Sequence, residues 1–321
     1  MKKVLVVVEN AEEISSQKAI ELLQKGIACG AETATVLLET EVSGENGRLA
    51  EMGSTVQYFS EDNSTGFRPE YYANLIAKAA EDFGAGSIWF ATGENTLVYA
   101  SRVAAKLKTT CIRDVFGLDW SGEGLVARRA AYAGKAEETL SVKSGVSVLT
   151  IKPRSFDVPA VPVPGKSAPR GLKVPGETMA MRVKNTIRRI QEEMDLGSAK
   201  IVVGTGRGAK NSEGIEFVRK FATAVNAAFG GSRAVVDAGL LPTHAQIGQT
   251  GKIISPLLYV CVGISGAVQH VAGIGHSKVI LAVNKDPEAP IFKIADYGIV
   301  GDLFEVLPHL ESEIKSLSVS R

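Results

Sequence analysis

From Ile253 to Ser277 the chain runs for 25 residues without a Lys, Arg, Asp or Glu. Such a run has to leave water, for a bilayer or for a protein core. Its length is enough to span a membrane. Its content argues against that, because Pro256, Gly263, Gly266, Gly273, Gly275, Gln269 and two histidines are poor material for a lipid-facing helix. The run reads instead as a strand at Leu257–Val262, buried on both faces, followed by a turn and a helix start. Ser265, Gln269 and His270 then sit inside a charge-free core segment and need a partner that is not an ordinary ion pair.

The start, MKKVLVVVEN, is basic and then apolar, but Glu9 closes the apolar run after Val8, which is short for a signal peptide. It reads as a buried first strand. The acidic Glu9, Glu12 and Glu13 are unlike a mitochondrial presequence and suggest a prokaryotic cytoplasm. A length of 321 residues suggests two domains. With 45% apolar and 22% charged residues and a net charge of +1, the whole chain gives no reason to expect nucleic acid. Residues 1–150 carry 15 basic and 20 acidic side chains, and residues 151–321 carry 21 and 15, which suits a phosphate-bearing ligand in the second half. Cys29, Cys111 and Cys261 are far apart, so neither a zinc pair nor a disulfide framework is expected.

Strand-like and helix-like segments alternate in both halves. In the first, strands are expected at Val4–Val8, Ala34–Leu38, Val56–Phe59 and Ile88–Ala91. Helices are expected near Ser16–Cys29, from Pro69 to Phe83, and after Asn95 as its cap. Short antiparallel strands at a sheet edge are expected from Leu125 to Ile151. Six of the twelve prolines fall between Pro153 and Pro175, a density that favours an extended connector. A helix at Met181–Met194 follows. In the second half, strands are expected at Lys200–Val203, Ala234–Val236, Leu257–Val262 and Val279–Val283, with helices at Gly214–Ala228 and Leu303–Leu317. The architecture is therefore α/β, with two domains that are each a mostly parallel sheet flanked by helices. The boundaries are residues 1–152, a Pro-rich linker and helix at 153–195, and a second domain at 196–321.

Four stretches carry chemistry. IVVGTGRGAKN places Gly204, Gly206 and Ala209 after a strand in the loose dinucleotide pattern, but the nearest strand-end acid, Asp237, is too far along for a standard nicotinamide site. Arg207 in that turn favours anion binding over a plain tight turn. QIGQTGKI resembles a phosphate loop but lacks its first glycine and its final Ser or Thr. Ser265 and Gly266 stand where a helix begins, so free backbone N–H groups would face an anion. Asn284 ends a strand, and Asp302 precedes the last helix as a cap. No nucleophile is paired with a base at a convincing spacing, so the chain offers binding groups without a catalytic centre or a metal cluster.

Taken together, SRAVVDAG (Ser232–Gly239), QIGQTGKI (Gln246–Ile253), LYVCVGISGAVQHVAG (Leu258–Gly273) and VILAVNKDPEAPIFKIADYGIVGDLFEVLP (Val279–Pro308) resemble the alpha subunit of electron transfer flavoproteins. The match is nearly continuous from Lys200 to Pro308; the first half matches mainly in architecture. The resemblance implies a Rossmann-like second domain that binds FAD. It implies that Arg207, Ser265 and Gly266 contact the phosphates and ribityl chain, and that Asn284 and Asp302 hold the adenosine end, with Leu303 beside them. Ile247, Gly248, Gln249 and Thr250 would line the flavin, Thr250 near its N5. Arg233, next to Ser232, would lie over the ring. Ala267, Val268 and Gln269 would be cofactor-binding as part of the charge-free loop that wraps the pyrophosphate and flavin, and His270 would meet the carbonyl edge beside N1. His244 departs from the family pattern and reads as an exposed loop residue.

The resemblance also implies a beta subunit that packs on the first domain to form a heterodimer. It further implies a dehydrogenase donor, such as acyl-CoA dehydrogenase, and an oxidoreductase acceptor. The chain would be an electron carrier rather than an enzyme. A variant of the family oxidises NADH and bifurcates its electrons with a second FAD in the beta subunit. Two rivals of other classes are an NAD-dependent dehydrogenase built on GTGRGA and a ligand-free scaffold.

Overall fold

Val4, Val6 and Val8 on one side of the first strand, and Leu5 and Val7 on the other, are all buried, so this strand must be covered on both faces. The computed structural model describes residues 2–9, 13–38, 45–61, 67–93, 95–121, 124–132, 136–142, 145–156, 161, 167–174, 195–197, 199–275 and 277–319. They fall into two units, Met1–Arg188 and Arg189–Arg321. The helix expected at Met181–Met194 lies outside the described residues.

The first unit runs β1 (Lys3–Val8), α1 (Glu13–Ala28), β2 (Glu32–Leu37), α2 (Glu45–Glu51), β3 (Ser54–Ser60), α3 (Pro69–Phe83), β4 (Ser87–Ala91), α4 (Thr96–Lys106), β5 (Cys111–Ser121), β6 (Gly124–Ala131), β7 (Ala136–Val142), β8 (Ser147–Ile151) and β9 (Ala168–Leu172). They form one nine-stranded sheet in the order β7-β6-β5-β8-β4-β1-β2-β3-β9. Among the described strands of this sheet, β6 alone runs antiparallel to its neighbours, β5 and β7. Val4, Val6 and Val8 pack with Ile20 and Leu23 of α1, while Leu5 and Val7 pack with Leu75 and Ile76 of α3 and Val103 of α4. Each such side chain contributes about 1.5–3 kcal/mol on leaving water.

Three local expectations change. β8 was expected among the edge strands but lies inside the sheet, parallel to β4 and β5, with all five residues buried. The stretch read as connector contributes β9, paired with β3. Asn95 stands at the start of α4 as expected, but its backbone is already helical and its side chain accepts no capping hydrogen bond.

The second unit runs β10 (Ile201–Thr205), α5 (Ser212–Ala224), β11 (Ala228–Ser232), α6 (Arg233–Asp237), β12 (Gln246–Ile247), β13 (Leu258–Val262), α7 (Val268–Ile274), β14 (Val279–Asn284), β15 (Tyr297–Val300) and α8 (Leu303–Val319). Its six strands are all parallel, in the order β12-β11-β10-β13-β14-β15. Val260 and Val262 of β13 join the core under α5 and α8; Tyr259 and Cys261 join the opposite core, which includes Ile274 of α7. The charge-free run is thus a doubly covered central strand, a turn and a short helix. No helix among the described residues is long and apolar enough to cross a membrane.

The sequence alone predicts a helix through Ala228 and a strand at Ala234–Val236. The structure reverses this: the strand is Ala228–Ser232 and Ala234–Val236 is in α6. Packing explains the two glycines in a strand that propensity disfavours. A Cβ on Gly230 would stand 2.8 Å from the Ala245 carbonyl oxygen, and one on Gly231 would stand 2.6 Å from Val235 Cγ2.

Candidate functional site

Strand order locates the site. The chain steps outward from β10 to β11 to β12, then returns to place β13 on the other side of β10. The helices that follow β10 and β13, α5 and α7, therefore pack on opposite faces of the sheet, and ligands of open parallel sheets bind in the crevice at such a reversal. A cleft of about 560 Å³ lies there, lined by residues that follow five successive strand ends. Arg207 and Gly208 follow β10, and Ser232 and Arg233 stand at the end of β11. Ile247 to Thr250 lie at and beyond β12, Gly263 to Ser265 follow β13, and Asn284 to Asp286 close β14.

The loops meet backbone against backbone. Gly206 N–H donates to the Val262 carbonyl at 2.9 Å and Gly208 N–H to the Gly263 carbonyl at 3.0 Å. A Cβ on Gly208 would stand 2.6 Å from Gly263 Cα, and one on Gly206 would run into the Gly263 carbonyl. Beyond this contact, the N–H groups of Ser265, Gly266 and Ala267 have no acceptor among the described residues. Ser265 and Ala267 line the cleft, as do the cations Arg207 and Lys285. This cradle excludes side chains and presents N–H donors and positive charge, which fits a phosphate-bearing ligand.

The other wall is the QIGQTGKI loop held on α7. Gln249 N–H donates to the Gln269 carbonyl and Ile254 N–H to the Gly273 carbonyl, both at 2.8 Å. The amide of Gln246, itself buried, donates to Thr250 Oγ1 at 2.9 Å, which leaves the hydroxyl's own proton free to donate. His270 Nδ1 lies 3.1 Å from the Ile247 carbonyl and Nε2 lies 2.9 Å from the Tyr259 hydroxyl. Because a carbonyl only accepts, Nδ1 carries the proton and Nε2 accepts from Tyr259. Burial pushes the His270 pKa down to about 4, against a smaller upward pull from the Ile247 carbonyl, so the ring is neutral at pH 7. Burial also pushes the Tyr259 phenol well up and the Cys261 thiol up to about 12, so neither ionises.

Twelve of the sixteen residues singled out from the sequence line this cleft: Arg207, Ser232, Arg233, Ile247, Gly248, Gln249, Thr250, Ser265, Ala267, Gln269, His270 and Asn284. Asn284 Nδ2 donates to the Ile264 carbonyl at 2.9 Å and its Oδ1 accepts from Asp286 N–H, so its amide ties two loops together. Arg233 is exposed and paired with Asp237, Nε to Oδ2, at 3.2 Å. Asp302 and Leu303 border a small neighbouring cleft that shares Gly208, Gly263, Asn284 and Lys285 with the large one. Asp302 caps α8 as expected, accepting from Phe304 N–H at 3.0 Å. Gly266 is buried beneath the turn (φ +86), where a Cβ would stand 2.6 Å from Ile291 Cα. Val268 is an exposed residue of α7 outside the lining. Gln246, Lys285, Asp286 and the pair Gly208–Gly263 are lining residues that the sequence reading did not select; their one signal was position at a strand end.

A parallel α/β unit with a glycine-floored cleft at its sheet reversal defines a dinucleotide-cofactor protein. Family comparison makes this specific. Residues 195–275 match the electron transfer flavoprotein FAD-binding domain, and residues 4–176 match the electron transfer flavoprotein domain. The electron transfer flavoprotein subunit alpha of Bacillus subtilis is 34% identical, covering 99% of each chain. That of Syntrophomonas wolfei is 36% identical over 97% of this chain and 98% of its own. A probable mitochondrial one from Cryptococcus neoformans is 35% identical over 98% and 92%. The chain belongs to the alpha-subunit family of electron transfer flavoproteins, and its cofactor is FAD. By family it is one subunit, with a beta subunit as its partner.

Proposed function

We propose that this chain carries FAD in the second-unit cleft and relays electrons from a flavin dehydrogenase, such as an acyl-CoA dehydrogenase, to another oxidoreductase. It does so as a heterodimer with its beta subunit. One observation carries this reading. The switch-point cleft combines free backbone N–H groups, cations and neutral polar side chains, and its one histidine is neutral with both ring nitrogens occupied. Such a lining binds and tunes a cofactor, and the cofactor supplies the redox chemistry.

In this reading Arg207 and the N–H groups from Ser265 to Gln269 hold the phosphates. Asn284, Asp302 and Leu303 border the adenosine end, with Gly266 turning the chain beneath. Ser232, Arg233 and Ile247 to Thr250 face the flavin, and Arg233 supplies positive charge to it. The Thr250 hydroxyl, already accepting from Gln246, donates into the cleft. His270 forms an uncharged wall, and Val268 shapes the outer rim.

The test is the cofactor content of the purified heterodimer, together with its reduction by an acyl-CoA dehydrogenase and substrate. One FAD per heterodimer, reduced by the dehydrogenase, is the expected result. Two FAD with reduction by NADH would establish the bifurcating variant instead. A heterodimer without FAD would overturn the reading.

A further inference from the structure

Three glutamines line the cleft, and they differ in burial. Gln249 and Gln269 are exposed, whereas Gln246 is 6% exposed. Its main chain pairs with Gly231 of β11, and its carbonyl accepts from Lys252 N–H at 2.7 Å. Gly248 N–H donates to the Lys252 carbonyl at 3.1 Å, and Gly251 N–H to the Gly248 carbonyl at 3.0 Å. Lys252 Nζ is held in turn by Asp195 Oδ1 at 2.6 Å. Residues 246–252 thus form a loop tied at both ends, and Gly251 passes so close to the Gln246 carbonyl that a Cβ there would collide with it. Side chains close the loop a second time, Gln246 Nε2 to Thr250 Oγ1 at 2.9 Å. Thr250 itself is exposed and lines the cleft.

We propose that Gln246 is a positioning residue that sets the flavin potential through Thr250, by turning the Thr250 hydroxyl proton toward the cofactor. The proposal rests on the FAD reading of the cleft. A threonine hydroxyl carries one proton and two lone pairs and rotates to suit its neighbours. An amide N–H cannot accept, so while it fills one lone pair the hydroxyl proton points away from Gln246. Burial strengthens this restraint, because little water competes for the amide. A donor fixed in advance stabilises a flavin that has taken up negative charge more than it stabilises the neutral one. Without the amide the same hydroxyl would turn among the cleft, the loop carbonyls and water, and its donation to the cofactor would be part-time.

The experiment measures FAD content and the first one-electron potential of the heterodimer. It compares wild type with Thr250→Val, Gln246→Met, Gln246→Glu and the two double variants. Thr250→Val should lower the potential, and Gln246→Met should lower it by less. Combined with Thr250→Val, Gln246→Met should add no further shift. Gln246→Glu keeps the shape of the side chain, but an ionised carboxyl only accepts. It should lower the potential more than Gln246→Met does, and part of that shift should vanish in the presence of Thr250→Val. Shifts that simply add in the double variants, an unshifted Gln246→Met, or Thr250→Val at the wild-type potential would each overturn the proposal. So would loss of FAD from both Gln246 variants while Thr250→Val keeps it, which is what a purely structural glutamine would give. A wild-type heterodimer without FAD would instead defeat the functional reading of the cleft.

Discussion

At the scale of single residues, His270 has a consequence for stability as well as for the cleft. Burial holds its pKa near 4, below the ordinary value of 6.5. The unfolded chain therefore binds a proton that the folded one refuses. Above pH 6.5 this costs nothing; as pH falls from 6.5 to about 4 the unfolded state gains. At pH 4.5 the loss should be about 2.5 kcal/mol relative to pH 7. Glu9 and Glu21 act in the opposite sense, because burial raises both carboxyl groups and favours the folded state at low pH. Comparison with His270→Gln removes them. Urea unfolding of the isolated chain should show wild type losing about 2.5 kcal/mol more than the variant between pH 7 and pH 4.5. Equal losses would mean that His270 is solvated. The sequence made this residue visible as a histidine in a charge-free run. It did not reveal Tyr259 as its partner, since an aromatic residue inside an apolar strand looks like any other core side chain.

Among the elements, the sequence was most legible where periodicity and end signals agreed. The helix from Pro69 to Phe83 has the expected bounds, with proline in its first turn and Gly84 in the left-handed conformation behind it. It was least legible at Ala228–Asp237, where tight packing against neighbouring loops requires two glycines inside a strand and local propensity points the other way. The glycine contact between the loops after β10 and β13 is half legible in the sequence: Gly206 belongs to a recognisable glycine pattern, but nothing in the spacing marks Gly263 as its counterpart. That contact should be the least tolerant part of the cleft. Gly263 has φ +62, and a Cβ there would stand 2.8 Å from Gly208 Cα. Gly263→Ala should therefore strip FAD from the heterodimer and lower its melting temperature. Gly30 is the control, with φ +71 and open space around a Cβ. Its change to Ala should cost only the backbone strain, about 1 kcal/mol, and keep the flavin. Equal FAD retention in the two variants would mean that the loop contact does not shape the site.

For the whole molecule, the alternation of strands and helices was enough to give two mostly parallel sheets. Strand order was not readable, because β8, β9 and β13 are placed by which faces they bury rather than by sequence neighbours. That order also puts every cleft-lining residue in the second unit. Stability of the first sheet and chemistry of the flavin should then be separable. Leu149 is fully buried in β8, next to β4, in the core that includes Trp89 and Ile151. Leu149→Ala should leave a cavity and cost about 2–5 kcal/mol. Thermal unfolding of the heterodimer should shift down accordingly. The flavin absorption spectrum and midpoint potential, measured well below the transition, should stay at wild-type values, since nothing that lines the cleft has moved. A changed potential would show that the first unit contributes to the electrostatics of the flavin, and the assignment of cofactor chemistry to the second unit alone would fail.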